Sequence, residues 1–373
     1  MCTEQGVWGE CTGGVQATAP DNCFMGAPPS CFPITTAPFV AIKLGSGTGL
    51  FGQDAVPGSE SFAVQCPAGV SQCPEVKAGG VFQPLQSGEY KVTYTKSVTG
   101  GGQLPCDYPL LVRAPGLRVE LVWEHQAGNG GADLDLHLHQ PASSQPWGVT
   151  KAVLEDCGFE NCSVKAFSGL YPNPVSWFSG PPATPPTPVN WWLDSVAENN
   201  GCYFAPQGLG QEWKSLGKGC HSPRLDLMRG TCSSSVTDPD NQQFCLPENI
   251  NVDHPPLGQW MRVGVYYYAN HSIAYDVHPR VKVFCDGALS ADLGPTGFNS
   301  PAKPVTFSPS DGASAGAGNR FWPVLDVAFV SDGCGQSSCM VAPIYANAAT
   351  RTPFLATDTV AEASFLPAYP TGP

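Results

Sequence analysis

The chain has 373 residues and a formal net charge of −13, with 18 lysines and arginines against 31 aspartates and glutamates. Because the basic residues are few and form no cluster, the composition argues against nucleic acid and anionic membrane surfaces as partners. Charged residues make up only 13% of the chain, and its 42 glycines and 38 prolines favour turns over helices, so we expect many short strands joined by long loops.

Sixteen cysteines are spread from Cys2 to Cys339 without zinc-finger spacing, which predicts a disulfide-rich protein of an oxidising compartment. The sequence begins Met1-Cys2 with no apolar segment. We therefore expect an extracellular or cell-surface protein whose signal has been removed, and the early cysteine would suit a lipid anchor. The sequence contains no apolar run of about 18 residues, which argues against a transmembrane segment.

The first part of the chain predicts a small Cys-rich segment at residues 1–35, followed by an immunoglobulin-like β-sandwich at 36–114. The clearest strand signal there is Gly88-Glu-Tyr-Lys-Val-Thr-Tyr-Thr95, whose apolar and polar side chains alternate. A Gly-rich turn and a second strand at 108–113 complete a hairpin. The Gly-x-Tyr-x-Val pattern resembles the polycystic-kidney-disease (PKD) and immunoglobulin-like modules of secreted bacterial proteins.

Apolar and polar side chains alternate again in Leu117-Arg-Val-Glu-Leu-Val-Trp123 and in several later segments. This pattern predicts a larger, jelly-roll-like sandwich with long loops at 115–340. The fold class is thus all-β, with two tandem β-sandwich domains. Residues 341–373 are rich in Ala, Thr and Pro and show no period, so we expect an extended C-terminal tail that can add a strand to a neighbouring copy. The best helix candidate is a short turn near Thr359–Ser364.

The segment Asp133-Leu-Asp-Leu-His-Leu-His139 is the most informative stretch of the chain. A period of two places its leucines in the core and its polar side chains in one row on the opposite face. The simplest interpretation is a solvated polar face. The alternative is a site for a cation, because carboxylates and imidazoles are common metal ligands.

The blocks Asp133–Leu138, Pro223-Arg-Leu-Asp226 and Leu246-Pro-Glu-Asn-Ile250 occur in an order that resembles a family of secreted β-sandwich modules of myxobacteria and related bacteria. Members carry Asp-x-Asp-Leu-His-Leu, Leu-Asp-x-Asp-Asp and Gly-Pro-Glu-Asn-Ile. The resemblance implies a calcium site with ligands from Asp133, Asp135, Asp226 and Glu248. This chain departs from the second block, where Arg229 follows Leu225-Asp-Leu-Met, and Asp238 and Asp240 are the candidates to replace the missing carboxylates.

Two alternatives to calcium remain open from the residues. His137 and His139 with one carboxylate would suit zinc or copper, with His221 or His254 as a further ligand. A secreted metal-dependent or glycoside hydrolase would instead use the carboxylates of Asp133, Asp135 and Glu248 for catalysis.

From the sequence we expect a non-enzymatic module that binds a glycan, a protein surface or another copy of itself in adhesion or structural assembly. Tryptophans concentrated in the loops of the larger sandwich would either form a sugar-stacking surface or pack as a small core at its end. They are Trp147, Trp177, Trp191, Trp192 and Trp213.

Overall fold

The structure is a computed structural model. It describes residues 34–36, 38, 41–44, 58–67, 73–84, 86–97, 102–112, 116–123, 131–149, 153–162, 175, 177–178, 222–226, 248–295, 297, 299–312, 318–331, 337–365 and 367–372. In this part of the chain, no helix has the length and apolar character needed to cross a membrane.

The described elements are almost all strands, and the predicted all-β fold class is confirmed. The strands are β1 (Ile34–Thr36), β2 (Ile42–Lys43), β3 (Ser61–Gln65), β4 (Val81–Phe82), β5 (Gly88–Ser97), β6 (Gln103–Val112), β7 (Leu117–Val122), β8 (Asp133–His139), β9 (Asp156–Cys157), β10 (Arg224–Asp226), β11 (Glu248–Val252), β12 (Trp260–Ala269), β13 (Arg280–Cys285), β14 (Ala288–Leu293), β15 (Phe321–Ser331), β16 (Ser337–Pro343), β17 (Tyr345–Asn347) and β18 (Thr352–Pro353). The helices are α1 (Phe159–Cys162) and α2 (Asp358–Ala363).

The first hydrophobic core is built by a four-stranded sheet in the order β1-β6-β5-β3 together with the pair β2-β4. On β5 the side chains of Tyr90, Val92 and Tyr94 are buried in this core, where they pack with Phe82 and Tyr108. The alternation read from the sequence at this strand is therefore confirmed.

The second hydrophobic core lies between two five-stranded sheets with the orders β10-β11-β7-β13-β14 and β16-β15-β12-β8-β9. We call them the first and second sheets of the larger sandwich. This core shares no residue with the first one, and the N–H of Ser87 donates to Oε1 of Glu120 at 2.9 Å where the two parts of the chain touch. The domain limits at residues 35 and 114 and the jelly-roll comparison stay predictions.

Disulfides join Cys66 to Cys73, Cys157 to Cys162 and Cys285 to Cys339 in the described part of the chain. Cys106 is disulfide-bonded as well. The bond between Cys285 and Cys339 connects β13 of the first sheet to β16 of the second, so it links the two layers of the larger sandwich. These bonds fit an oxidising compartment, as the cysteine count predicts.

The C-terminal segment differs from the predicted extended tail of residues 341–373. Strand β16 continues across the predicted limit at residue 340 and pairs with β15. Farther on, Ala356 pairs with Phe321, and Ala361 of α2 is buried. The prediction was wrong because the small apolar side chains pack against the sandwich without any regular period. The short helix near residues 359–364 is confirmed.

Candidate functional site

Strand β8 presents its polar side chains on the outer face of the second sheet. The three leucines of Asp133–His139 are buried in the core between the sheets. Asp135, His137 and His139 alternate with them and therefore point to the opposite face. The common orientation predicted from the sequence is therefore seen for Asp135, His137 and His139, while Asp133 lies beyond a shift in the pairing of β8 with β12.

The part of this face around His137 and His139 is covered by other side chains, which corrects the interpretation of a fully solvated polar face. The side chain of His139 is fully buried, and its ring centroid lies 3.9 Å from that of Trp147 and 5.1 Å from that of Phe365. Gly264 of β12 stands opposite His137, and an added Cβ there would lie 2.5 Å from Phe321 and 2.9 Å from Trp147. The missing side chain leaves room for this aromatic cover.

The cover is fastened to the sheet by an arginine. Arg262 of β12 donates to both carboxylate oxygens of Asp326, at 2.6 and 2.8 Å. Its guanidinium also lies 4.3 Å from the ring centroid of Phe365 and 4.6 Å from that of Tyr369. Planar guanidinium groups stack well on aromatic rings, so Arg262 holds the C-terminal segment over the polar row of β8.

The carboxylate of Asp156 stands between the two histidines. Its Oδ2 lies 2.9 Å from Nδ1 of His137 and accepts the N–H of Gly148 at 2.7 Å, while Oδ1 lies 3.9 Å from Nε2 of His139. Burial alone would raise the pKa of Asp156, but the neighbouring His137 and the Gly148 N–H hold it below its usual value. Asp156 is therefore a buried anion.

The two histidines have opposite electrostatic environments. Burial alone would lower the pKa of His137, but the Asp156 carboxylate raises it above its usual value. Burial outweighs the charge of Asp156 at His139 and lowers its pKa to about 4. His139 is a neutral ring stacked in an aromatic layer, so the predicted zinc or copper site does not receive His139 as an accessible ligand.

A small cavity of about 30 Å³ opens beside this face. Asp135, His137, Asp156 and Glu160 supply its titratable side chains, and Tyr268, which is 54% exposed, also lines it. We call this space the acidic cavity. His137 is 3% exposed, and its Nε2 is buried without a hydrogen-bond partner.

The wall of the acidic cavity is held in place by short-range bonds. The disulfide between Cys157 and Cys162 brackets helix α1, and the side-chain amide of Asn161 donates to the backbone oxygens of Val153 and Asp156 at 2.8 and 2.7 Å. Gly158 packs on the imidazole of His137, since an added Cβ would lie 2.9 Å from Cε1 and Nδ1. The close approach of the imidazole therefore leaves no room for a side chain at position 158.

A second group of carboxylates lies where β8 meets β11 of the opposite sheet. Glu248 is 5% exposed, and its Oε2 accepts the N–H of Leu136 at 2.5 Å. Burial raises the pKa of Asp133 to about 7; burial and the charge of Asp133 raise that of Asp135 to about 7. Burial, with the charges of Asp135 and Asp133, also raises the pKa of Glu248 well above its usual value. We call these carboxylates the acidic edge.

Other predicted ligands do not join this group. Asp226 lies in β10, but its side chain falls outside the described residues, and Asp238, Asp240 and His221 fall outside them entirely. His254 is exposed beyond the end of β11. Asp133, Asp135 and Glu248 are therefore the predicted calcium ligands that the described side chains bring together.

The structure also decides between the two predictions for Trp147. Trp147 is 2% exposed and belongs to a small core with Tyr266 and Phe321, as the packing alternative predicts. Trp177 packs against the main core, and Trp191, Trp192 and Trp213 lie outside the described residues.

Sequence reasoning missed Asp156 and Glu160, which follow β8 by about twenty residues and carry no motif. The Asp-Cys-Gly turn and the close cysteine pair around them were the signals that could have drawn attention. In the part of the chain that the structure describes, no group of three or more His, Cys, Asp or Glu side chains is arranged to hold a metal ion.

Comparison with family models, with curated proteins and with solved structures finds no match for this chain. The resemblance to myxobacterial modules therefore stays a prediction.

Proposed function

We propose that this chain is an extracellular or cell-surface β-sandwich module without enzymatic activity, stabilised by calcium and used for binding or structural assembly. The observation that carries the proposal is the acidic edge. The charge of Asp133 raises the pKa of Asp135, the charges of both raise that of Glu248, and burial disfavours the charged form of all three carboxyl groups.

A calcium ion would resolve this conflict. Buried like charges destabilise a fold unless a counter-charge accompanies them, and carboxylates without nitrogen or sulfur ligands suit a hard cation such as Ca²⁺. Glu248 belongs to the first sheet and Asp133 and Asp135 to the second. These three carboxylates are not arranged as a metal site in the structure, so an ion bound by all three would have to draw them together, and it would then link the two sheets.

The burial of the acidic edge supports ligation over glycoside hydrolysis. A glycosidase needs two carboxyl groups that reach a sugar from opposite sides. Glu248 is only 5% exposed and Asp133 only 9%. A monosaccharide ring cannot reach either group without opening the sandwich, whereas a bare ion can be enclosed between them.

A glycan or protein surface remains the proposed partner class. Leu154, Tyr268 and Val360 are exposed on the larger sandwich at 64%, 54% and 44%, and apolar or aromatic side chains of this kind serve as contact points. Self-association through a free C-terminal arm is no longer part of the proposal, because that segment packs on its own sandwich.

The test is the effect of calcium on thermal stability. The full chain is stripped with a chelator, and its melting temperature is followed as Ca²⁺ is added. We expect the parent protein to gain stability on adding Ca²⁺, Glu248→Gln to lose this gain, and Glu89→Gln, which changes an exposed carboxylate on β5, to keep it.

A parent protein that melts at the same temperature with chelator and with calcium would overturn the proposal. So would a Glu248→Gln variant that retains the full gain. The chelator-treated variant is itself expected to melt no lower than the chelator-treated parent, which separates a lost ligand from a damaged fold.

A further inference from the structure

Strand β16 forms one edge of the second sheet of the larger sandwich. Its residues from Ser337 to Pro343 all pair with β15, and among the described residues no strand pairs with its other side. None of the 7 residues of β16 is buried. A strand at the edge of a sheet presents unpaired backbone donors and acceptors, so this side of β16 can accept a further strand.

A hydrogen bond just after β16 shows which of its backbone groups lie on the free side. The N–H of Ile344 donates to the backbone oxygen of Val324 on β15 at 2.9 Å. Because backbone groups alternate in direction along a strand, the even-numbered residues of β16 also face β15. Pro343, which has no N–H to donate, belongs to the other set. The residues whose N–H and C=O groups both point to the free side are Ser337, Cys339 and Val341.

β16 lacks the features that usually protect an edge strand from pairing. Natural edge strands are kept short or carry charged side chains. Among the described edge strands of the larger sandwich, β9 and β10 have 2 and 3 residues, and β14 carries the charged Asp292. β16 is longer than each of them and has no charged side chain, and its Met340 is 43% exposed. This edge is therefore the one best suited to a partner strand.

We propose that β16 pairs in antiparallel orientation with β16 of a second copy of this chain, so that the second sheets of the two molecules form one continuous sheet. The two-fold axis passes beside Met340, the central residue of the strand, because only this register pairs the strand over its whole length. Met340 then stands opposite its own counterpart, and the free backbone groups of Cys339 meet those of Val341 in the other copy.

The absence of charge on β16 favours a second copy over a strand of another protein. A two-fold interface brings the same patch of both molecules together, so a charged edge strand would repel itself. β16 has no such charge, whereas a strand of a different protein could be matched by opposite charges and would not require a neutral edge. The net charge of −13 on each copy opposes association at long range, and salt screens this repulsion. We therefore expect pairing to strengthen as the salt concentration rises.

The inference rests on the structural-assembly part of the proposed function and supplies its partner, but it involves no calcium ligand. Strands β15 and β12 lie between β16 and β8, which carries Asp133 and Asp135 of the acidic edge. The pairing also differs from the extended C-terminal tail expected from the sequence, because β16 stays in its own sandwich and offers only its free side.

The experiment is sedimentation equilibrium of the full chain from about 1 μM to 1 mM, in calcium and in chelator. We expect the mass to rise from that of one chain towards that of two in both conditions. Met340→Lys should weaken dimerisation by about tenfold or more, because it places two lysines opposite each other. The matched control is Val360→Lys on α2, which changes a side chain of 44% exposure and should leave the dimer unchanged. Both positions are exposed, so neither substitution should impair folding.

A cysteine at the centre of the strand tests the register. In the proposed pair the two Cα atoms at position 340 lie about 4.5 Å apart, within reach of a disulfide. We expect mild oxidation to give a covalent dimer of Met340→Cys, linked through residue 340, but not of Val360→Cys.

The outcomes separate this inference from the calcium proposal. A dimer that forms equally in chelator supports the strand pairing, even where calcium has no effect on the melting temperature. A parent protein that stays monomeric over the whole concentration range would overturn the pairing and leave the edge to a strand of another protein. Equal dimerisation of Met340→Lys and Val360→Lys, or equal cross-linking of Met340→Cys and Val360→Cys, would also overturn it.

Discussion

Replacing Asp133 with asparagine should have opposite effects on stability with and without calcium. Without the ion, the variant should be more stable than the parent protein at pH 8, because asparagine has a similar shape but no charge to bury. With the ion, the variant should be less stable, because a ligand has been removed. At a position without a role in calcium binding, the effect of a substitution on stability should keep the same sign when calcium is added.

The expected magnitude follows from the pKa of Asp133. Burial raises this pKa from 3.8 to about 7. The folded protein therefore holds the proton more tightly than the unfolded chain, and stability is lost as the pH rises from about 4 to 7, with the full loss present above pH 7. A rise from 3.8 to about 7 corresponds to roughly 4 kcal/mol.

The assay is urea unfolding of parent and Asp133→Asn at pH values from 5 to 8, in chelator and in calcium. The difference between variant and parent cancels the contributions of groups distant from Asp133, and it includes the fall in the pKa of Asp135 and Glu248 that removing the Asp133 charge causes. We expect the advantage of the ion-free variant to approach roughly 4 kcal/mol at pH 8 and to shrink towards pH 5. A difference that does not change with pH, or that keeps its sign in calcium, would refute the reasoning.

Three further substitutions test the packing around the site. Gly158→Ala should lower stability by about 1–3 kcal/mol in urea unfolding, because its Cβ would lie 2.9 Å from the imidazole of His137; an unchanged midpoint would show that the loop can move away. Arg262→Lys should increase hydrogen exchange in α2 and residues 364–369, since lysine cannot reproduce the two bonds to Asp326 or the stacking on Phe365; unchanged protection would mean that other contacts hold the segment. Cys285→Ala combined with Cys339→Ala should cost about 2–5 kcal/mol and lower the melting temperature, because a link across 54 residues is lost; a melting temperature equal to that of the parent would contradict the proposed role of this bond.

The strands could be predicted because apolar and polar side chains alternate along each of them. The period of two in Asp133–His139 and in Gly88–Ser97 is set by the neighbouring side chains alone, so both strands and their buried faces could be identified from the sequence. The short helix near residue 360 was predictable for the same reason, because its cap and its first turn are adjacent in sequence.

The environment of the polar face could not be read in this way. His139 is buried because Trp147 and Phe365 lie on it, and Phe365 is more than two hundred residues away along the chain. Asp156 reaches His137 across a sequence separation of 19 residues, through a turn with no periodic pattern. Contacts of this kind depend on how the loops and the C-terminal segment pack, which residue spacing does not encode.

The acidic edge was only partly predictable. Asp133 and Asp135 share a strand, so their proximity follows from local geometry. Glu248 belongs to the other sheet, and its place beside them depends on how the two sheets align. The sequence pointed to it through resemblance, since no rule of spacing connects residues that are more than a hundred positions apart.

The central claim is that the carboxylates of the acidic edge hold a calcium ion, and counting protons tests it most directly. Calcium is titrated into the ion-free full chain at pH 7 in buffers that differ in ionisation enthalpy. Because burial raises the pKa of Asp133 and of Asp135 to about 7, both groups are partly protonated there and must release protons when the ion binds. We predict binding of one Ca²⁺ with net proton release that decreases in Asp133→Asn. Absence of calcium binding, or binding with no exchange of protons, would contradict the account.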